Sequence, residues 1–216
     1  MSSQRIPEGA LPLEAIAATL APFKVDLEET QLLAIHDYVE LLLRWNKSIS
    51  LTAIEDRIEI VSRHFGESLF AATFLKIEHC RLADVGSGAG FPGLPLKIVL
   101  PDMEPVLFES NAKKCAFLTE ISQRLGLSDV VINRQRYEEF SANGQGFDFV
   151  CARALGDYAK FLQWARLVLK PGGHVVLWLG TEDSVRMGRR KGFRWQTPVA
   201  IPESRRRVIL AGEVAS

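Results

Sequence analysis

The sequence predicts an α/β protein: a mostly parallel, doubly wound sheet with an antiparallel edge strand and a helical N-terminal extension. Three observations carry this. Apolar residues recur at three- and four-residue steps up to about residue 75. Beyond Cys80, short continuous apolar runs alternate with helical stretches, as strands covered on both faces of a parallel sheet require. Between the first run and its helix lies the glycine-rich segment Gly86-Ser87-Gly88-Ala89-Gly90. The expected division is a helical extension over 1–79, packed on a sheet domain over 80–216.

In the first part, Leu32, Ile35, Val39, Leu42 and Trp45 stack on one helical face, and a second stripe runs through Ile58, Val61, Phe65, Leu69 and Ala72. The linker between them, 46–52, is polar and starts as a turn. The expected strands are 81–86, 105–110, 129–134, 147–154 and 174–180, with helices around 113–125 and 158–169. Lys170-Pro171-Gly172-Gly173 supplies a stop and turn before the last of these strands. The segments 195–201 and 205–213 form an expected antiparallel pair at the sheet edge, where Pro198 is tolerated.

The chain has 216 residues, with 26 Lys plus Arg against 26 Asp plus Glu, so its net charge is zero. A disordered tail, a polycation and a disulfide scaffold are excluded. The charges are not evenly mixed: residues 1–80 sum to −5, 81–180 to +1 and 181–216 to +4. Neutrality therefore does not exclude a nucleic-acid partner; it predicts a selective binder with a local basic patch. Three cysteines, Cys80, Cys115 and Cys151, contain no CxxC pair, which suits a reducing cytoplasm and gives no metal site. The N-terminus reads as neither signal peptide nor membrane helix, so a cytoplasmic location away from the membrane is expected. A monomer is expected.

The glycine segment reads GxGxG from Gly86, with Phe91 where a dinucleotide fingerprint needs glycine, and this form is typical of S-adenosylmethionine enzymes. Glycine lets the backbone turn tightly and brings main-chain N–H groups to a ligand. Glu109 ends the second strand, 23 residues after Gly86, where an acid accepts hydrogen bonds from both ribose hydroxyls of an adenosine. Ser110 follows it. Arg136-Tyr137-Glu138-Glu139 comes after the third strand, where adenine lies in such folds. A bare tight turn and a charged surface loop are the alternatives.

Together, Trp45-Asn46-Lys47, Leu51-Thr52, Arg63-His64, the segment 84–96, Leu107-Phe108-Glu109-Ser110, Lys113-Lys114, Arg136 to Glu139 and Arg153-Ala154 resemble a known family. It is the bacterial 16S rRNA guanosine-N7 methyltransferase G family, once called glucose-inhibited division protein B. The resemblance covers roughly residues 30–180 and implies a Rossmann-like class I S-adenosylmethionine-dependent methyltransferase. The implied reaction methylates N7 of a guanosine in the decoding-region loop of 16S rRNA of the small ribosomal subunit. The resemblance implies that Gly86, Gly88, Gly90, Phe91 and Ser110 belong to the donor site, Glu109 holds the ribose, and Tyr137 and Glu138 flank the adenine. Arg153 would sit where donor and substrate meet, as catalytic residue, with Arg63, His64 and Lys113 facing RNA. The chain departs from the family at Ser50-Leu51-Thr52, where Asn-Leu-Thr is common, at Glu67-Ser68, where Asp-Ser is common, and at Trp178-Leu179-Gly180, where Leu-Lys-Gly is usual. A lysine near the site is thus missing, and Arg186, Arg189, Arg190 or Lys191 is expected to supply its charge.

N7 of guanine bears a lone pair and no proton, so attack on a sulfonium methyl needs alignment rather than a base. The Asn/Asp-Pro-Pro-aromatic tetrapeptide of many adenine-N6 enzymes is lacking. Cys151 reads as a small buried residue rather than a thiolate nucleophile. Residues 186–195 with Arg205-Arg206-Arg207 hold eight basic residues interleaved with Phe193 and Trp195. They make Arg189 and Arg190 RNA candidates, against a solvated basic face with two core aromatics. The competing readings are a methyltransferase of this fold acting on another RNA or a small acceptor, and a non-catalytic donor- or RNA-binding module.

Overall fold

The computed structural model describes residues 11–77, 79–142 and 144–215. Helix α1 (Leu13–Leu20) leads to α2 (Glu29–Asn46), whose first turn is closed by reciprocal bonds between Glu28 and Gln31. Ile35, Val39 and Leu42 are buried as the spacing requires.

The second stripe fits less well. The run 57–73 opens as α3 (Arg57–Ile60), widens to a π-turn at Val61–Gly66, and returns to α4 (Glu67–Phe70). Asp56 caps it, accepting from the Glu59 N–H. The wider turn adds a residue to the repeat. Ile58 therefore leaves the apolar face and is 42 % exposed, and Ile60 takes the buried place.

The sheet follows: β1 (Arg81–Val85), α5 (Gly93–Val99), β2 (Glu104–Phe108), α6 (Ala112–Arg124), β3 (Val131–Asn133) and β4 (Phe147–Arg153). Then come α7 (Tyr158–Val168), β5 (Leu169–Gly180), α8 (Thr181–Met187), β6 (Phe193–Trp195), β7 (Val199–Ala200) and β8 (Arg207–Val214). The strand order is β3-β2-β1-β4-β5-β8-β6, and β7 also pairs with β8. Strands β1 to β5 are parallel and β8 is antiparallel to β5. Strand β5 starts earlier than expected, because the irregularity at 170–173 is absorbed as a register shift against β4.

The tail departs from expectation. Strand β8 is internal rather than at the edge, and the 195–201 segment breaks into β6 and β7 around Pro198. The cause is readable: Val208-Ile209-Leu210-Ala211 is apolar on both faces, the pattern of an interior strand, and all four are buried.

Two apolar layers cover the sheet. One joins Ile35, Leu42, Val61 and Phe65 of the helical part to Leu82, Leu107, Cys151 and Val176 of the strands. The other packs Phe161, Trp164 and Ala165 of α7 on Val85, Phe108 and Leu177. The strand order reverses between β1 and β4, which opens a crevice at the carboxyl ends of the strands.

Candidate active site

That crevice is built around the turn after β1. Gly86, Gly88 and Gly90 all have positive φ, at 72°, 56° and 86°. The N–H groups of Gly86 and Ser87 donate to the Phe108 carbonyl, so the turn is tied to the end of β2. Asp84, fully buried, accepts from the Gly93 N–H at 3.0 Å and anchors the start of α5. Burial pushes its carboxyl up to about 7.

Glu109 follows β2 and is 9 % exposed. One carboxylate oxygen accepts from the Gly88 N–H at 3.1 Å and the other from the Asn111 N–H at 2.8 Å. Both oxygens keep a free lone pair while their orientation is fixed. The carboxylate lines a cleft of about 210 Å³ with Gly86, Phe108, Ser110, Gln135, Arg136, Tyr137, Glu138 and Leu155. The cleft suits the nucleoside end of a ligand, being smaller than the roughly 300–1,000 Å³ typical of whole-ligand pockets. Tyr137 stands edge-on to Trp164, with centroids 5.1 Å apart, and Glu138 pairs with Lys160 at 3.2 Å.

Five of the expected donor residues thus come together: Gly86, Glu109, Ser110, Tyr137 and Glu138. Gly88 serves through its N–H to Glu109. Gly90 and Phe91 do not line the cleft. Phe91 is 7 % exposed beneath the turn, stacked between Tyr38 at 5.5 Å and His64 at 4.6 Å. A Cβ on Gly90 would overlap the Tyr38 hydroxyl and come within 2.8 Å of Leu94. Sequence reasoning missed Phe108, Gln135, Arg136 and Leu155 as lining residues, although Phe108 and Arg136 stood in quoted motifs.

Beside the turn lies a buried ionic cluster. Arg153 ends β4, in the register position after Ala152, which pairs with Val85. Its Nη2 donates to the Arg63 carbonyl at 2.8 Å and to Glu67 Oε2 at 3.3 Å, while its buried Nη1 has no partner among the described residues. Glu67 is 2 % exposed and also meets Arg63 Nε at 3.3 Å and Arg207 Nη1 at 2.6 Å. The Trp178 indole N–H donates to the Glu67 carbonyl at 2.8 Å. Burial raises the Glu67 carboxyl, and the three guanidinium groups oppose that rise. The charge expected from Arg186, Arg189, Arg190 or Lys191 therefore comes from Arg207, opposite Gly180 on the neighbouring strand. Glu67 stands four residues after Arg63, a helical pair spacing that could have revealed it.

His64 differs from the expected phosphate-contacting cation. Burial, and then the charges of Arg153, Arg63 and Arg207, push its imidazole down to about 3. It is neutral, with Nε2 2.8 Å from the Thr52 hydroxyl and Nδ1 buried without a partner among the described residues. Arg63 is 41 % exposed at its side chain, and Lys113 is exposed in the first turn of α6; both lie at the crevice edge. Arg189 and Arg190 do not. They precede β6, whose Phe193 pairs with Val214 at the far end of β8, at the amino end of the parallel strands. Phe193 is buried in the core and Trp195 half-buried against it, the two rings 5.4 Å apart, and Trp195 lies over Gly212. All three cysteines are buried and free, and burial raises the Cys151 thiol well above its ordinary value. Among the described residues, no cluster of metal-ligating side chains occurs and no helix is long and apolar enough to cross a membrane.

The family model for "rRNA small subunit methyltransferase G" matches residues 31–192. The chain is 37 % identical over 168 residues to the ribosomal RNA small subunit methyltransferase G of Listeria monocytogenes serotype 4b, covering 76 % of this chain and 71 % of the relative. It is 39 % identical over 166 residues to that of Pseudomonas fluorescens, covering 77 % and 75 %. Among solved structures, a SAM-dependent methyltransferase from Aquifex aeolicus superimposes with a TM-score of 0.61 at 17 % identity, covering 74 % of this chain and 94 % of that one. The P. horikoshii TYW2 structure in complex with MeSAdo gives 0.54 at 14 % identity, over 71 % and 63 %. These structural likenesses concern the fold, that of S-adenosylmethionine-dependent methyltransferases. The sequence matches go further: the chain belongs to the rRNA small subunit methyltransferase G family.

Proposed function

We propose that this chain methylates N7 of a guanosine in the decoding-region loop of 16S rRNA, with S-adenosylmethionine as donor. The observation that carries the donor half is the Glu109 carboxylate, held by two backbone N–H groups at the wall of a nucleoside-sized cleft. The rRNA half rests on family membership. When bound, the donor supplies an electrophilic methyl on a sulfonium. Glu109 accepts the ribose hydroxyls, Ser110 stands beside it, and the 137–138 turn meets the adenine edge. The positive-φ Gly86 and Gly88 leave the turn open to close approach, with no side chain within 3.8 Å of the place a Cβ would take.

The chain's own residues align rather than deprotonate, since N7 carries no proton. Arg153, set by Glu67 and the Arg63 carbonyl, faces the place where donor and acceptor meet. Arg63 and Lys113 offer phosphate contacts at the crevice edge. The sheet domain over 80–216 carries the donor site, and the extension over 1–79 forms the wall that admits RNA. The protein acts as a cytoplasmic monomer.

Borohydride–aniline cleavage, which cuts at N7-methylguanosine, tests the reading on small-subunit rRNA from a strain lacking the gene. Loss of the decoding-region cut, restored by the wild-type chain, is expected. A cut that persists unchanged would sink the proposed target.

A further inference from the structure

The eight basic residues of the tail do not form one patch. Strand β8 runs antiparallel to β5, so it separates them to opposite edges of the sheet. Arg205, Arg206 and Arg207 lie opposite Gly180, at the crevice edge. Arg189, Arg190 and Lys191 lie at the opposite end, beyond the His174–Glu213 pair, about 20 Å away for the six steps from His174 to Gly180 at roughly 3.3 Å each.

At that far edge the loop closes on helix α7. Arg190, Lys191 and Arg166 line one hollow of about 280 Å³, with Ala159, Leu162 and Gln163 as its other walls and no acidic residue among them. Gly192 has φ +97° and lies beneath the Arg166 side chain, a backbone turn that favours glycine and brings the loop to the helix. The neighbouring cations are neutralised: Arg186 pairs with Asp183 at 3.4 Å, and Arg194 with Glu213 at 2.7 Å. Arg166, Arg189, Arg190 and Lys191 are exposed, and none has an ion pair among the described residues. In a chain whose total charge is zero, three unpaired cations converging on one hollow, with Arg189 beside them in sequence, select an anion. Guanidinium forks match phosphate oxygens, and a single carboxylate would answer one of the three.

We propose that this corner binds the phosphate backbone of the rRNA substrate, as an anchor separate from the methylation crevice. It rests on the rRNA reading and adds a second point of grip. The RNA extends past the crevice, along the α7 side, to the opposite edge of the sheet. The anchor fixes the substrate's direction and reads no base, since phosphate contacts position without specifying sequence.

The test compares wild type with the triple variant Arg166→Gln/Arg190→Gln/Lys191→Gln. Binding is measured from 50 to 200 mM KCl, with small subunits from a strain lacking the gene and with deproteinised small-subunit rRNA. Losing three phosphate contacts lowers the salt slope by about 2 to 3, so wild type should lose roughly 20- to 40-fold more affinity than the variant over that range. S-adenosylmethionine affinity by calorimetry should be unchanged, which also verifies folding. The single Lys191→Gln variant should lower the slope by about 0.7 to 0.9. Parallel salt curves for wild type and both variants would overturn the anchor. So would weakened binding to subunits with unchanged binding to bare rRNA, which assigns the corner to a ribosomal protein. Dissociation of a wild-type dimer by the triple variant in sedimentation velocity would assign it to a second copy. Wild type that binds neither probe at any salt would sink the rRNA reading itself, and the anchor with it.

Discussion

Arg207 Nη1 lies 2.6 Å from Oε1 of Glu67, a contact between the last strand and the helical run 57–73. It closes a set in which one carboxylate holds Arg63, Arg153 and Arg207 together. Removing that carboxylate leaves three partly buried cations facing one another. Glu67→Ala should cost about 3–5 kcal/mol, the usual penalty for breaking a buried ion pair by one partner. Urea unfolding would measure it, and a loss below 1 kcal/mol would mean that the cluster is not held through Glu67.

Trp178 contributes to the same cluster through one hydrogen bond, from its indole to the Glu67 carbonyl. Trp178→Phe keeps most of the apolar packing and deletes the donor. An expected loss of about 1–2 kcal/mol follows for a buried carbonyl left without its partner. Unchanged stability in urea would show that the indole bond adds nothing.

In the proposed site, Glu109→Ala should weaken S-adenosylmethionine binding, while Arg153→Ala should mainly slow turnover. Two hydrogen bonds to a charged acceptor are at stake at Glu109, about 1.5–3 kcal/mol each, or a loss of more than tenfold in affinity. Calorimetry gives the first effect and single-turnover methylation the second. Equal donor affinity in wild type and Glu109→Ala would remove the ribose assignment, and full turnover in Arg153→Ala would leave that residue a structural role.

Two buried titratable groups should shape the pH dependence of stability in opposite senses. The His64 imidazole, at about 3 when folded against an ordinary 6.5, binds fewer protons folded than unfolded across that window. Its contribution is lost as pH falls from 6.5 towards 3. The Asp84 carboxyl, at about 7 against an ordinary 3.8, binds more protons folded, so its contribution falls as pH rises from 3.8 to 7. The two slopes oppose each other between about 3.8 and 6.5. His64→Gln should therefore make stability fall more steeply with rising pH there, and Asp84→Asn should make it rise. Urea midpoints at several pH values decide this, with parallel profiles in wild type and variants counting against both assignments.

Much of this architecture was legible because local pattern and global role agree. The runs at 81–86, 105–110 and 147–154 became strands, since each is apolar on both faces and ends at a turn. The Glu109 position followed from its place at a strand end 23 residues after Gly86. What stayed hidden depended on packing across long sequence separations. Nothing near Ile58 announces a π-turn, and nothing near Arg207 announces a partner 140 residues earlier in Glu67. The interior place of β8 was readable from its two apolar faces, but the basic residues before it drew attention to the surface. Phe91 was read as a ligand contact because its segment is a binding motif, whereas its ring is spent on Tyr38 and His64.

The Tyr38 hydroxyl donates to the Ala89 carbonyl at 2.6 Å and fills the space beside Gly90. Helix α2 thus touches the very turn on which the donor cleft depends. Ligand affinity and helix docking are therefore coupled free energies, and each raises the other by the same factor. Saturating donor should protect the amide protons of α2 from hydrogen exchange, although α2 ends 40 residues before Gly86, the first cleft residue, and contributes no residue to the cleft. The extension thus serves as a remote gauge of whether the site is filled.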